Sequence, residues 1–290
     1  MEQRDVVIVG GGPAGLSAAG RLAELGVTKV TVLEREVLAG GVPRHCGHTG
    51  FGWASHRRVW SGPAFAQVLR RSADGLDVRT GTTVLSIKPD NILRIRDHRG
   101  IAEIAARRIL LATGTRETPR SARLIGGSRP AGVMNTGALQ AHVYLQQFKP
   151  FERPVIIGSE LVSFSAILTC RHMGIRPVAM IEENPRITAP WPGRFVARLV
   201  YGVPVLTAAR LVAITGGKQV EAVEIEQNGQ TRRIACDGVI VSGRFVPEAE
   251  LTGQAPDAVL AGNVHGDLKT AGRCWLDGRA AAERIAEQLA

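Results

Sequence analysis

The sequence predicts an α/β protein of two nucleotide-binding-like domains, the second inserted in the first. Three observations predict this. "DVVIVGGGPAGLSAAGRLAELGVTKVTVLERE", from Asp5, reads as strand, glycine turn, amphipathic helix and second strand ending in an acid. "PVIIGSELVSFSAILTCRHMGIRPVAMIEE", from Pro154, repeats that plan, the two helices closing at Gly26 and Gly174. A stretch of short alternating strands follows each, so a βαβ unit with a meander behind it occurs twice. Each half is then a Rossmann-like, three-layer ββα domain. Residues 1–119 and 244–290 are expected to form the first and 120–243 the second.

The first unit carries Gly10, Gly12 and Gly15 directly after an aliphatic strand, with Pro13 and Ala14 between the last two. Gly10 permits a tight turn, Gly12 lets backbone approach a pyrophosphate, and Gly15 lets helix pack on strand. The helix N-terminus offers free N–H groups and a positive dipole end to phosphate. Glu34 ends the next strand, followed by Arg35. A carboxylate there can accept both ribose hydroxyls and repels a 2′-phosphate. The motif does not distinguish FAD from NAD. Next come "VRTGTTVLSIKP" and "LRIRDHRGIAEIAARRILLATG", with alternation in places.

The second unit keeps the frame and changes the residues. Gly158 makes the turn, but Glu160 and Ser163 stand where the second and third glycines belong. A carboxylate at 160 repels phosphate and fills the space that glycine leaves open, and Ser163 is expected to spoil close helix packing. An acidic pair, Glu182 and Glu183, closes the second strand. Retention of the scaffold after loss of nicotinamide binding is the expectation; NADH binding through other contacts is the alternative. In the following meander, "QNGQ" marks a hairpin turn. The chain closes in an alanine-rich helix from "TAGRCWLDG" onward, expected to return to the first domain.

Composition narrows the function classes. At 290 residues, 44% hydrophobic and 21% charged, the chain has the make-up of a soluble globular protein of about two domains. No apolar run approaches the ~20 residues of a membrane span. The apolar run at the N-terminus is too short for a signal peptide, so a cytoplasmic protein is expected. The 36 basic and 26 acidic residues leave +10, but the basic residues are scattered and aromatics are only 4%. That argues against nucleic acid and for phosphate-bearing cofactors, an acidic protein partner or a solvated basic surface. Cys46, Cys170, Cys236 and Cys274 form no C-x-x-C pair, which argues against a disulfide framework, a zinc ribbon or a redox dithiol.

Three further segments carry a resemblance: "RRILLATGTRETP" from Arg107, "DGVIVSGRFVP" from Asp237, and "AVLAGNVHGDLKTAG" from Ala258. With the first βαβ unit they resemble the pyridine nucleotide–disulfide oxidoreductase superfamily, the thioredoxin-reductase-like two-domain flavoproteins, over nearly the whole chain. The resemblance implies FAD in the first site, with Ala112, Thr113 and Gly114 beside it at the domain crossover. It places Gly262 and Asn263 where relatives carry Gly-Asp, with Asn263 taking the ribityl bond. Thr270 and Ala271 would begin a helix whose N–H groups face the flavin pyrimidine oxygen and favour anionic reduced flavin.

A narrower likeness lies in "AGGVPRHCGHTGFGWASHRRVWSGPAFAQ" and "RPAGVMNTGALQAHVYLQQ". These resemble FAD-binding subunits of heteromeric dehydrogenases and oxidases acting on opines, proline or hydroxyproline, and glycine (the hydrogen cyanide synthase type). The likeness implies a second flavoprotein subunit, amine- or amino-acid-oxidase-like, with room for a small iron–sulfur subunit. Members often continue into a cysteine-rich extension; with Ala290 last, any cluster is expected on another polypeptide. Gly41, Arg44 and His48 would line the flavin or an inter-subunit contact.

Read from its residues alone, "RHCGH" keeps other readings open. His45, Cys46 and His48 are metal-ligand types, yet so close a spacing does not readily give one ion three ligands, and no metal is expected. Cys46 could be a reactive thiol whose pKa Arg44 and the histidines lower. Packing alone is the remaining option. His265 reads as surface or cofactor edge, and Trp53, Trp60, Trp191 and Trp275 as core or interface. The segment Gly40–Gly62 is expected to give flavin access or a partner contact, with Arg57 and Arg58 at its rim. No catalytic residue is assigned. The expected function is that of an FAD-dependent oxidoreductase, one subunit of an enzyme oxidising an amine, amino acid or imino acid. A stand-alone NAD(P)H-dependent flavin reductase and a non-catalytic FAD-binding scaffold are the alternatives.

Overall fold

A computed structural model describes residues 1–189 and 195–290; Trp191 lies outside them. The chain forms two compact units. One comprises Met1–Arg44, Thr49–Arg116 and Val246–Ala290, the other His45–His48 and Glu117–Phe245. The tetrapeptide His45–His48 thus packs with the second unit while the residues on either side of it belong to the first.

In the first unit, β1 (Glu2–Val9) lies between β2 (Val30–Leu33) and the long strand Gly100–Leu111, parallel to both. Asp77–Arg79 extends the sheet beyond β2, and Val259–Leu260 pairs with the end of Gly100–Leu111. The start of that long strand turns into an antiparallel meander with Ile92–Asp97 and Thr83–Lys88. Side chains alternate across β1 with the period of two that strand geometry imposes. Val6 and Ile8 join Leu16, Leu22, Phe65 and Ile285 under the helices. Val7 and Val9 join Leu33, Leu93, Ile95 and Leu111 under the meander, which completes three layers.

Two helices of this unit, α1 (Pro13–Glu24) and the terminal helix Ala271–Leu289, cross closely. A β-carbon at Gly278 would overlap the carbonyl oxygen of Ala14, and Ser17 Oγ donates to Trp275 O at 2.7 Å. Small residues at the crossing bring two backbones together; any larger one would separate them.

The second unit has a five-stranded parallel sheet in the order Val133–Asn135, Gly238–Val241, Pro154–Ile157, Ala179–Ile181, Val205–Leu206. Helices Thr136–Gln146 and Leu161–His172 pack on it through Leu139, Val143, Ala166 and Ile167. A second sheet contains Ala209–Thr215, Ala222–Gln227 and Gln230–Ala235. Its last turn is the expected hairpin: Gln227 pairs with Gln230 around Asn228 and Gly229, both at positive φ. Among the described residues no helix is long and apolar enough to cross a membrane.

Candidate functional site

Each unit has a crevice at the carboxyl ends of its parallel strands, where open α/β sheets bind ligands. The two are built on one plan and differ in what lines them.

In the first, Gly10 turns out of β1 at φ +109°, and a β-carbon there would overlap the carbonyl oxygen of Ala112. A β-carbon at Gly15 would overlap the carbonyl oxygen of Gly10 itself. Packing alone therefore demands glycine at both positions. Gly12 differs. A β-carbon there would meet only the Cα of Gly41, at 3.9 Å. Gly12 caps α1 without any side-chain bond, Pro13 opens the helix, and no acid lies in its first turn. The N–H groups at that helix start are thus left for something other than the fold.

Around this opening the other residues converge. Glu34 is buried; Oε2 accepts from Gly11 N and Oε1 from Glu36 N, both at 2.8 Å. Each carboxylate oxygen keeps a lone pair for a further donor. Gly40 N donates to Gly11 O at 2.7 Å, which holds Gly41 against Gly12. Arg44 donates to Leu38 O at 2.6 Å, and its stem lies beside Gly40. Ala112 N donates to Val9 O at 2.8 Å, Thr113 Oγ1 to Glu248 O at 2.7 Å, and Gly114 O accepts from Glu248 N. Arg35 is exposed, 3.9 Å from Glu248.

The loop Gly262–Thr270 is fixed by residues the sequence reading passed over. Gly262 sits by Ala14, and its N–H donates to Asp277 Oδ2 at 2.7 Å. Asp277 also takes Lys269 Nζ at 2.8 Å. Burial alone would raise the Asp277 carboxyl; the Lys269 ammonium and the Gly262 N–H hold it below its ordinary range instead. The Asn263 amide oxygen accepts from Lys269 N at 2.7 Å and Cys274 Sγ at 3.4 Å, while Nδ2 donates to Lys269 O. One amide N–H remains, so Asn263 can donate outward but not accept, a narrower role than expected. Thr270 caps the terminal helix without a side-chain bond, and Ala271 begins it. His265 lies at the loop's exposed edge, bonded to Leu260 O.

His48 packs with the second unit, together with His45 and Cys46. The reactive-thiol reading of Cys46 is overturned. The thiol is buried, bonded to Gln140 Oε1 at 3.3 Å, and burial with the nearby Glu117 charge pushes its pKa up to about 12. Arg44, expected to lower it, is not among the causes of that shift. Gln140 Nε2 donates on to Ser165 Oγ at 3.1 Å.

The second crevice, about 310 Å³, is lined by the side chains of Arg123, Glu160, Glu182, Glu183 and Arg244. Glu160 Oε1 accepts from Arg244 N at 2.9 Å, and its carboxylate fills the space where a β-carbon of Gly243 would lie. Glu183 pairs with the Arg244 guanidinium at 2.6 Å. Glu182, the counterpart of Glu34, is spent internally on Ser159 Oγ and on the N–H and Nδ2 of Asn184. Ser163 does not spoil packing. It is fully buried and bonds Ser242 Oγ at 2.9 Å, which also receives Thr136 Oγ1. The hydroxyl is accommodated because Ser242 gives it a partner.

The fold and the site define the class, an oxidoreductase of the flavin-binding, two-nucleotide-fold type. The chain belongs to the pyridine nucleotide-disulphide oxidoreductase family, which matches residues 4–265. It is 27% identical over 263 residues to the alpha chain of sarcosine oxidase from Rhizobium meliloti (strain 1021), covering 84% of this chain and 24% of that one. It is 28% identical to an opine oxidase subunit of the same strain, covering 61% of this chain and 38% of that one. The chain therefore spans about a quarter to two fifths of these relatives. Among solved structures, T. acidophilum thioredoxin reductase superposes with a TM-score of 0.81 over 99% of both chains, at 22% identity, a likeness of fold.

Proposed function

We propose that this chain is the FAD-binding subunit of a heteromeric dehydrogenase or oxidase acting on an amine, amino acid or imino acid, and that it takes no electrons from a nicotinamide nucleotide. The contrast between the two glycine turns carries the reading: the first leaves the space beside Gly12 bare, and the second sets the Glu160 carboxylate at the matching position.

The first crevice fits FAD. Gly10, Gly12, Pro13, Ala14 and Gly15 would hold the pyrophosphate, and Glu34 with Arg35 the adenosine ribose. Gly41, Arg44, Ala112, Thr113, Gly114, Gly262, Asn263, Thr270 and Ala271 would line the rest. FAD held there supplies two-electron redox chemistry that no side chain of this protein can. The N–H groups starting α1 would face the phosphates, and those starting the terminal helix would favour negative charge beside them.

The second crevice argues against NADH. Phosphate would meet the Glu160 carboxylate, and each charge-assisted bond forgone costs about 1.5–3 kcal/mol. The four cysteines are buried and unpaired, which fits a reducing compartment such as the cytoplasm and offers no dithiol route. The relatives, named as subunits of sarcosine and opine oxidases, favour exchange with a second, amine-oxidising subunit.

The test is the visible flavin spectrum of the purified chain with and without NADH under anaerobic conditions. One flavin per chain and no bleaching by millimolar NADH are expected. Bleaching within seconds would make the protein an NADH-dependent reductase, and a colourless protein would refute the flavin site.

A further inference from the structure

We propose that the hairpin Thr49–Ser61 of the first unit is the docking element for an acidic partner subunit, with Trp53 as its anchor. The inference rests on the proposed role as one subunit of a complex and adds where the partner sits.

The hairpin is short and rigidly backed. Thr49–Phe51 pairs with Trp60–Ser61 around the helical turn Trp53–His56. A β-carbon at Gly52 would overlap the Trp60 ring, and Arg57 is held at φ +55°, a left-handed position that costs a non-glycine residue strain. His56 is packed among Trp60, Phe65 and Trp275, with ring centroids at 5.4, 5.8 and 4.9 Å. Behind the turn, a β-carbon at Gly272 would come to 3.2 Å from Ala54 Cβ, so the terminal helix supports it.

This scaffold holds apolar side chains outward. Trp53 and Val59 are each 59% exposed. Leu276, one helical turn beyond Gly272 and on the same side, is 45% exposed. A rigidly backed, solvent-facing tryptophan flanked by arginines is the composition of an interface hot spot, not of a solvated loop.

Charge selects the occupant. From Val37 to Ala73 the sequence has no Asp or Glu, yet carries Arg44, Arg57, Arg58, Arg70 and Arg71. Arg57, Arg58 and the neighbouring Arg273 form no ion pair among the described residues. A second copy of this chain would place these arginines against themselves in a twofold contact. A partner with an apolar socket and a carboxylate rim satisfies both features.

The experiment compares tagged wild-type chain with Trp53→Ser and Arg57→Glu/Arg58→Glu variants, purified from the native host and sized with mass spectrometry of the peaks. The wild type should elute with a second chain of net negative charge. Both variants should lose that chain while keeping wild-type flavin content and Tm. With purified partner, the double-Glu variant should associate at least about tenfold more slowly at low salt, the difference closing at high salt. Variants that keep the partner at wild-type stoichiometry would overturn the docking surface alone. A wild type that elutes by itself, as a homomer or in a nuclease-sensitive peak would overturn the proposed function with it.

Discussion

At the scale of single residues, the three glycines of the first crevice separate fold from ligand. Gly15→Ala would drive a β-carbon into the Gly10 carbonyl and Gly278→Ala one into Ala14, so each should cost about 3 kcal/mol or more of stability. Thermal unfolding of the apoprotein checks this. A β-carbon at Gly12 meets only Gly41, so Gly12→Val should cost the apoprotein little beyond its glycine N-cap, about 1 kcal/mol, while flavin affinity falls by about tenfold or more. A Gly12→Val protein with full flavin content would contradict the assignment. Cys46 makes an opposite kind of prediction. With its pKa near 12, it should resist alkylation at neutral pH until the chain unfolds, which timed mass spectrometry of iodoacetamide labelling reads directly. Its sequence neighbours suggested a reactive thiol because burial, which decides thiol pKa, depends on chain segments far away, here Gln140 and Glu117.

At the scale of elements, the βαβ units were legible because each is local. Strand, turn, helix and acid lie within thirty-odd residues, and the hydrophobic period changes where the element does. What was not legible depends on long-range partners. Ser163 was read as a packing defect because Ser242, which accepts its hydrogen bond, lies elsewhere in the chain. Asp277 and Gly278 were passed over in an alanine-rich helix, although an isolated Gly there was the available signal. Because Glu182 and Glu183 are tied up as well as Glu160, Glu160→Gly alone should not confer NADH binding. Saturable binding by that single variant, measured by calorimetry, would contradict this. Glu117 gives the second unit a pH dependence. Its carboxylate is buried, accepting from Gly137 N at 2.7 Å and Gly243 N at 3.0 Å, and burial raises its pKa despite those bonds. A folded pKa above the unfolded one means the folded state binds more protons, so this group's contribution falls as pH rises through that interval. Asp77 and Glu2, held low by Arg79 against the effect of burial, act the other way and lose their contribution as pH falls. Denaturant titrations of wild type and Glu117→Gln from acid to neutral pH should show the downward component only in the wild type.

At the scale of the whole molecule, one chain carries two copies of a nucleotide-binding plan, one with bare backbone at its glycine turn and one with a carboxylate there. The repeat was visible in the sequence; that His45–His48 packs with the second copy was not, since nothing local marks a segment that leaves its unit for four residues. The proposed function has electrons exchanged through something other than nicotinamide or a dithiol, and the relatives the chain matches are named as subunits of oxidases. The most direct measurement is anaerobic stopped-flow of the complex purified from the native host, following the flavin absorbance after mixing with NADH or with a panel of secondary amines, opines and imino acids. Bleaching by a member of the amine panel, dependent on the co-purifying subunit, with no bleaching by NADH, is the expected result. Rapid reduction of the isolated chain by NADH, or full-speed oxidation of an amine without any second subunit, would contradict it.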